Sequence, residues 1–285
     1  YIMSETGANH PLLDGLNPAQ RDAVVHTGSP LLIVAGAGSG KTTSMAARVA
    51  YVVGSDHVAA EKILGLTFTN KAAASLGSNM RKALRTLEAD GLRPAGPDLG
   101  EDESVAGEPS VQTYNSFASR ILNEHGIRLG REPGARLLNE GFREQLAYRV
   151  VCSSALPLEE FGTGPDSLTT NLLSLDDQCS ELDITPEEVI AWDTTLINNM
   201  NAAELGPGKF QKNAGEIRET AKKRRHLARL VLEWRAAKER YDVIDYTDQT
   251  RLALELVRRF PEVAQSVREQ FTLVLLDEYQ DTSIA

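Results

Sequence analysis

The chain has 285 residues, 41% of them hydrophobic and 25% charged, with a formal net charge of −10. That is enough apolar content for two domains with cores of their own, and the acidic balance argues against indiscriminate binding to nucleic acid while leaving room for a local basic groove. No apolar run is long enough to span a bilayer and no signal-peptide pattern is present; Cys152 and Cys179 stand far apart in no metal-like spacing, which reads as reduced thiols in a cytoplasmic protein with no membrane partner.

The first element is LNPAQRDAV, residues 16–24. It reads as a helix with Asn17 as N-cap and Pro18 in the first turn. Gln20 would present an amide with both a donor and an acceptor. That pair matches N6 and N7 of adenine and not the two acceptors of guanine. The alternative is an ordinary surface glutamine.

The apolar run LLIVA (31–35) reads as a buried strand and leads into AGAGSGKTT. This turn fits the phosphate-loop pattern, with Ala35 where the strict form has glycine. Its candidate ATP-binding residues are Ala35, Gly36, Ala37, Gly38, Ser39, Gly40, Lys41, Thr42 and Thr43. The glycines let the backbone curl so that successive N–H groups point inward. A helix follows, and its N-terminal dipole faces the same anion. Lys41 would reach the β- and γ-phosphates, and the Thr42 hydroxyl would ligate Mg²⁺. The bland reading is a flexible Gly/Ser loop.

Two more buried strands, ILGLTFT (63–69) and SVQTY (110–114), alternate with helical patterns; a fourth, FTLVLLDEY (271–279), comes near the end. Alternation of this kind implies an α/β fold with a parallel sheet and right-handed crossovers. Ligands then sit at the carboxyl ends of the strands, where the glycine-rich turn, TNKAA and DEYQD all fall. At such an end Phe68 could stack on a nucleic-acid base without reading sequence. Equally, Leu64, Leu66 and Phe68 share one face and could all be core. The segment 88–110, rich in Gly, Pro and acidic residues, reads as a solvated loop.

About 155 residues between the third and fourth strands carry helical spacing and no strong strand signal. They read as an α-helical insertion. Within it Thr185, Pro186 and Glu188 form a capping box, and the last helix should run from about Gly215 to Tyr241. Residues 151–208 hold eleven Asp/Glu and no Lys or Arg, whereas 209–240 hold eleven Lys/Arg and four Glu. Either the basic stretch, with Lys209, Lys212, Lys222, Lys223, Arg224 and Arg225, lines a DNA surface, or the acidic and basic helices pair with each other.

LVLLDEYQDTS puts Asp277 and Glu278 at a strand tip. Asp277 is the candidate metal ligand beside Thr42, and Glu278 the candidate base that orients an attacking water. Because neighbours on a strand point to opposite sides, the two acids should do different jobs.

Taken in order, LNPAQRDAV, AGAGSGKT, ILGLTFTNKAA, TYNSFASRIL, VIDYTD and LVLLDEYQDTS resemble the N-terminal half of a superfamily 1A DNA helicase of the UvrD/Rep type. The resemblance implies a P-loop, RecA-like domain (1A, expected at 8–117 and 219–285) interrupted by a helical subdomain (1B, expected at 118–218). It implies a 3′-to-5′ motor on single-stranded or forked DNA that uses ATP and Mg²⁺ in repair or recombination. Residue by residue it makes Gln20 the adenine reader, Lys41, Asp277 and Glu278 the catalytic set, and Phe68, Thr69, Asn70, Asn115 and Ser116 the DNA contacts. Three departures from the family pattern, at Thr43 (often Arg), at Ser75 with Leu76 (usually Glu and Met) and at Asn115 (commonly His), suggest a divergent branch such as the RecB, AddA and Adn helicase–nuclease complexes, with a partner subunit. Rival readings are an ATP-gated DNA-binding module and an interaction scaffold. The family's second RecA-like domain, with its arginine finger, would lie beyond Ala285, so this chain alone is expected to bind Mg·ATP weakly and barely hydrolyse it.

Overall fold

In chain order the computed structural model has α1 (Pro18–Val25), α2 (Lys41–Ser55), β1 (Ile63–Thr67), α3 (Asn70–Ala89), β2 (Ser110–Thr113), α4 (Tyr114–His125), β3 (Arg136–Leu137), α5 (Glu140–Ser153), α6 (Pro165–Glu181), α7 (Pro186–Ala202), α8 (Lys209–Arg240), β4 (Val243–Ile244), α9 (Tyr246–Arg259), α10 (Pro261–Gln270) and β5 (Leu273–Leu276). It describes residues 13–28, 30–36, 38–55, 58–91, 107–132, 134–202 and 209–282. Ala37, residues 8–12 of the expected first domain and most of the expected loop (92–106) lie outside the described residues. The chain forms two compact units, one running to Phe117 and resuming at Phe260–Asp281, the other covering Ala118–Arg259.

The first unit is built on a parallel sheet of order β2-β1-β5. Its register pairs Thr67 with Thr113 on one side of β1 and Leu66 with Leu276 on the other. All five residues of β1 are buried, as a central strand covered on both faces requires. One face packs Ile63 with Val49, Leu76, Met80 and Leu87; the other packs Leu64 and Leu66 with Phe271, Tyr114 and Phe117. Gly65 is where α3 comes close: a Cβ there would meet Leu76, Met80 and Val111 side chains at 3.3–3.4 Å. Thr69 starts α3 by accepting the Ala72 N–H on its hydroxyl.

The run LLIVA differs from expectation. Residues 30–36 form no strand, and Leu32 and Val34 are 67% and 88% exposed. The apolar run is there, but a strand needs a hydrogen-bonded neighbour, and among the described residues this run has no place in either sheet.

The second unit is mostly helical. Its core gathers Ala147 and Val151 of α5, Leu168 and Leu172 of α6, and Leu230, Val231 and Trp234 of α8. The expected capping box forms: Glu188 N–H donates to Thr185 Oγ1 (3.1 Å) and Thr185 N–H to Glu188 Oε2 (2.7 Å). The short parallel pair β3–β4 was not expected, since two residues are too few to show alternation. Helix α8 begins six residues before the expected Gly215. The sequence-based boundary at 218/219 falls inside it, whereas the chain passes back to the sheet unit at 259/260. The physical reason is a buried ionic cluster that ties α8, β4 and α9 to α5 and α6. Lys238 Nζ lies 3.2 Å from Asp176, 3.1 Å from Asp245 and 2.7 Å from Asp248. Arg235 joins Asp176, Arg143 joins Asp245 and Asp177, and Arg251 joins Asp248.

Candidate nucleotide site

The glycine-rich turn closes on itself before α2. Ser39 Oγ donates to the Gly36 carbonyl (2.6 Å), and Ser44 N–H donates to the Gly40 carbonyl (2.9 Å). Gly38 and Gly40 take left-handed φ values of +75° and +86°. Gly36, Gly38, Ser39 and Thr43 are exposed, and Ala35, Gly40, Lys41 and Thr42 are half-buried. Lys41 and Thr42 are the first two residues of α2, so they stand at the positive end of its dipole.

Helix α1 is tied to this turn at its start and to α2 at its end. Asn17 and Gln20 form a capping box, with Gln20 N–H donating to Asn17 Oδ1 (2.9 Å) and Asn17 N–H to Gln20 Oε1 (3.0 Å). Gln20 Nε2 then donates to the Ser39 carbonyl (3.2 Å). At the other end Arg48 of α2 donates to the Val24 and His26 carbonyls at 2.9 and 2.8 Å, satisfying terminal groups that α1 cannot satisfy itself. Sequence reasoning singled out Gln20 but missed its brace to Ser39, and missed Arg48 altogether. No spacing rule links residues 19 and more apart.

Asp277 follows β5 directly, and its N–H donates to the Leu66 carbonyl (2.9 Å), extending the ladder one step beyond the strand. Glu278 departs from the expected alternation. It takes a left-handed φ of +53° and opens a short turn, Tyr279–Asp281. Its N–H donates to Asp277 Oδ1 (3.1 Å), and Gln280 Nε2 donates to Glu278 Oε2. The two acids are therefore separated by a turn, not by strand pleating. A non-glycine residue in this region stores strain of about 1–3 kcal/mol, a feature concentrated at functional sites. Thr42 and Asp277 offer a hydroxyl and a carboxylate, the hard oxygen donors that Mg²⁺ takes alongside water and phosphate.

Of the candidate DNA contacts, Phe68 is 41% exposed and its ring centroid lies 4.8 Å from that of Tyr114. It is therefore the half-open edge of the Leu64–Leu66 face and not a sealed core residue. Thr69 and Asn70 are exposed at the start of α3; Asn115 and Ser116 are exposed in the first turn of α4. The Ser116 hydroxyl already bonds Thr113 Oγ1 (2.8 Å).

Several cations of the basic stretch are spent inside their own unit. Arg224 grips the fully buried Asp193 of α7 in a two-pronged pair. Arg235 and Lys238 hold Asp176, Lys223 donates to the Phe161 carbonyl (3.1 Å) and Lys222 pairs with Glu219. Pairing between acidic and basic helices thus accounts for Arg224, Arg235 and Lys238.

A family model described as the UvrD/REP helicase N-terminal domain matches residues 16–285. The chain belongs to this family. It is 34% identical over 277 residues to the ATP-dependent DNA helicase UvrD1 of Mycobacterium leprae, covering 96% of this chain and 29% of that protein. It is 27% identical to the ATP-dependent DNA helicase PcrA of Bacillus subtilis (97% and 31%) and 26% identical to DNA helicase II of Escherichia coli (95% and 31%). The chain thus spans about 30% of the length of these relatives. Within this UvrD/REP domain one departure has a plain structural account. Leu76 is fully buried against β1, where leucine and methionine exchange at low cost; its neighbour Ser75 is exposed. Among the described residues no helix is long and apolar enough to cross a membrane.

Proposed function

We propose that this chain is the ATP-binding part of an ATP-dependent DNA helicase that moves 3′ to 5′ along single-stranded DNA in repair or recombination, with domain 1A in the sheet unit and subdomain 1B in the helical one. The observation that carries the reading is the braced glycine-rich turn at the start of α2, in the same unit as a strand tip that ends in Asp277–Glu278.

The N–H groups of the turn and the start of α2 cradle the phosphates, and Lys41 sets a point charge against the β- and γ-oxygens. Thr42 and Asp277 would hold Mg²⁺, which neutralises charge on those oxygens. Glu278 accepts a proton from the attacking water and orients it; to do so it gives up the Gln280 amide. Gln20 is already half-committed to Ser39 and Asn17, so reading adenine exchanges these bonds and lets base identity be felt at the turn. Phe68, with Thr69, Asn70, Asn115 and Ser116, forms the strand platform.

The test uses the full-length protein. ATP turnover should rise on adding single-stranded DNA and fall to background in Lys41→Ala, and a duplex with a 3′ tail should be opened in preference to one with a 5′ tail. DNA binding without turnover would instead leave an ATP-gated binding module, and preference for a 5′ tail would reverse the polarity.

A further inference from the structure

Helix α8 carries two sets of cations with different fates. Arg224 is taken by Asp193 of α7, and Arg235 and Lys238 by Asp176 of α6. Arg218, Lys222, Arg225, Arg229 and Arg240 follow one another at intervals of 4, 3, 4 and 11 residues, a spacing that holds all five on one face of a helix. The opposite face carries the buried Val231, Trp234 and Lys238. Arg229 and Arg240 are exposed, and Arg218, Lys222 and Arg225 half-buried. The side chains of Arg225, Arg229 and Arg240 make no hydrogen bond or ion pair among the described residues. Lys222 has only the exposed Glu219 (2.8 Å), and Arg218 the Asn201 amide oxygen (3.1 Å), surface bonds of little net strength. The Nε–H groups of Arg218 and Arg225 have no acceptor. At a rise of about 1.5 Å per residue, the first four cations step along the helix by about 6, 4.5 and 6 Å. The result is an outward ridge of regularly spaced positive charge.

We infer that the outer face of α8 grips the phosphate backbone of duplex DNA, without regard to sequence, through Arg218, Lys222, Arg225 and Arg229. Guanidinium forks match phosphate oxygens two bonds at a time. No Phe, Tyr or Trp stands on the ridge, so it lacks the stacking surface that single-strand binders use. A duplex keeps its bases inside and offers one phosphate charge per about 1.7 Å of its axis, which a row of cations complements. The ridge belongs to the helical unit and is a site distinct from the Phe68 platform, which takes unpaired bases. The inference rests on the reading of this chain as part of a DNA helicase.

The test measures how binding of the full-length protein to a blunt duplex and to a single strand depends on salt. Arg225→Gln combined with Arg229→Gln removes two charges that no protein group uses, so the melting temperature should hold. On the duplex, the slope of log affinity against log salt should become shallower by about 1.8, about 0.9 for each lost phosphate contact, and equally so for duplexes of different sequence. Single-strand affinity and single-strand-stimulated turnover should stay at the wild-type level. Arg149→Gln, at an exposed arginine of α5 outside the ridge, should leave the slope unchanged. No duplex binding by the wild type, or an unchanged duplex slope in the double variant, overturns the inference. So does an equal loss on single strands, which would put the unpaired strand on the ridge, or an equal loss per charge in Arg149→Gln, which would reduce the effect to net charge. Wild-type turnover that ignores single-stranded DNA overturns the proposed function instead, a readout separate from the duplex slopes.

Discussion

At Gly40 two constraints meet. Its φ of +86° is strained for any side chain, and a Cβ there would lie 2.7 Å from Gln20 Nε2. A glutamine tip normally swings aside at little expense, but this one is held by Asn17 and Ser39. Gly40→Ala should therefore loosen the α1 brace along with the turn, and affinity for a non-hydrolysable ATP analogue should drop about tenfold, the equivalent of about 1.4 kcal/mol of strain. Isothermal calorimetry checks this; an alanine variant that binds as tightly as wild type would show that the turn does not hold the phosphates. Gln20 illustrates how far a residue is legible. Its place in the first turn of a capped helix followed from Asn17 and Pro18. Its bond to Ser39 depends on how α1 and α2 lie together, and no local rule states that.

Helix α8 carries eleven Lys and Arg, and its chemistry is decided by what it packs against. Lys238 is almost wholly buried. Burial alone would lower its pKa, yet Asp248, Asp176 and Asp245 hold it above the usual range. Burial would likewise raise Asp248, but Lys238 and then Arg251 pull it well below the usual carboxylate range. A depressed carboxylate pKa contributes stability that is full above the unfolded value of about 4 and is lost as pH falls through the folded one. Asp245 is shifted the other way, by burial and then by Asp248, so its ionisation opposes folding. Lys238→Met would leave three carboxylates buried around an apolar tip and should destabilise the helical unit by about 3–5 kcal/mol at neutral pH. Without the lysine the pKa values of Asp245 and Asp248 rise, so the penalty should shrink as pH falls toward 5 and these two acids take up protons. Urea titrations of both proteins at pH 7 and pH 5 measure it; a loss that grows on acidification would contradict the account of the cluster.

Each of the two units has a core of its own among the described residues. One centres on β1 with Val49, Leu76 and Met80; the other centres on Trp234, whose indole N–H donates to Asp176 Oδ2 (2.8 Å). Units with their own cores need not unfold together. Scanning calorimetry should resolve two transitions, of which only one moves upward with an ATP analogue, because ligand stabilises the unit that binds it. Trp234→Ala removes a large buried ring, a loss of about 3–5 kcal/mol, and should lower the other transition while the nucleotide response persists. A single transition shifted by both treatments would mean that the units are one cooperative body.

Sequence alone determined what depends on residue type and close spacing: the glycine-rich turn, the caps at Asn17 and Thr185, β1, β2 and β5, the acidic pair at a strand tip and the family likeness. These are set within a few residues, where backbone geometry and hydrogen bonding act directly. Tertiary structure decided the rest. Whether LLIVA became a strand depended on a neighbour to complete its ladder. Whether Arg224 could meet DNA depended on Asp193, a carboxylate brought close only by packing. Whether Asp277 and Glu278 diverged by pleating or by a turn depended on where the ladder to β1 stopped. Each is a contact between residues distant in the chain, and its free energy exists only once the chain has folded.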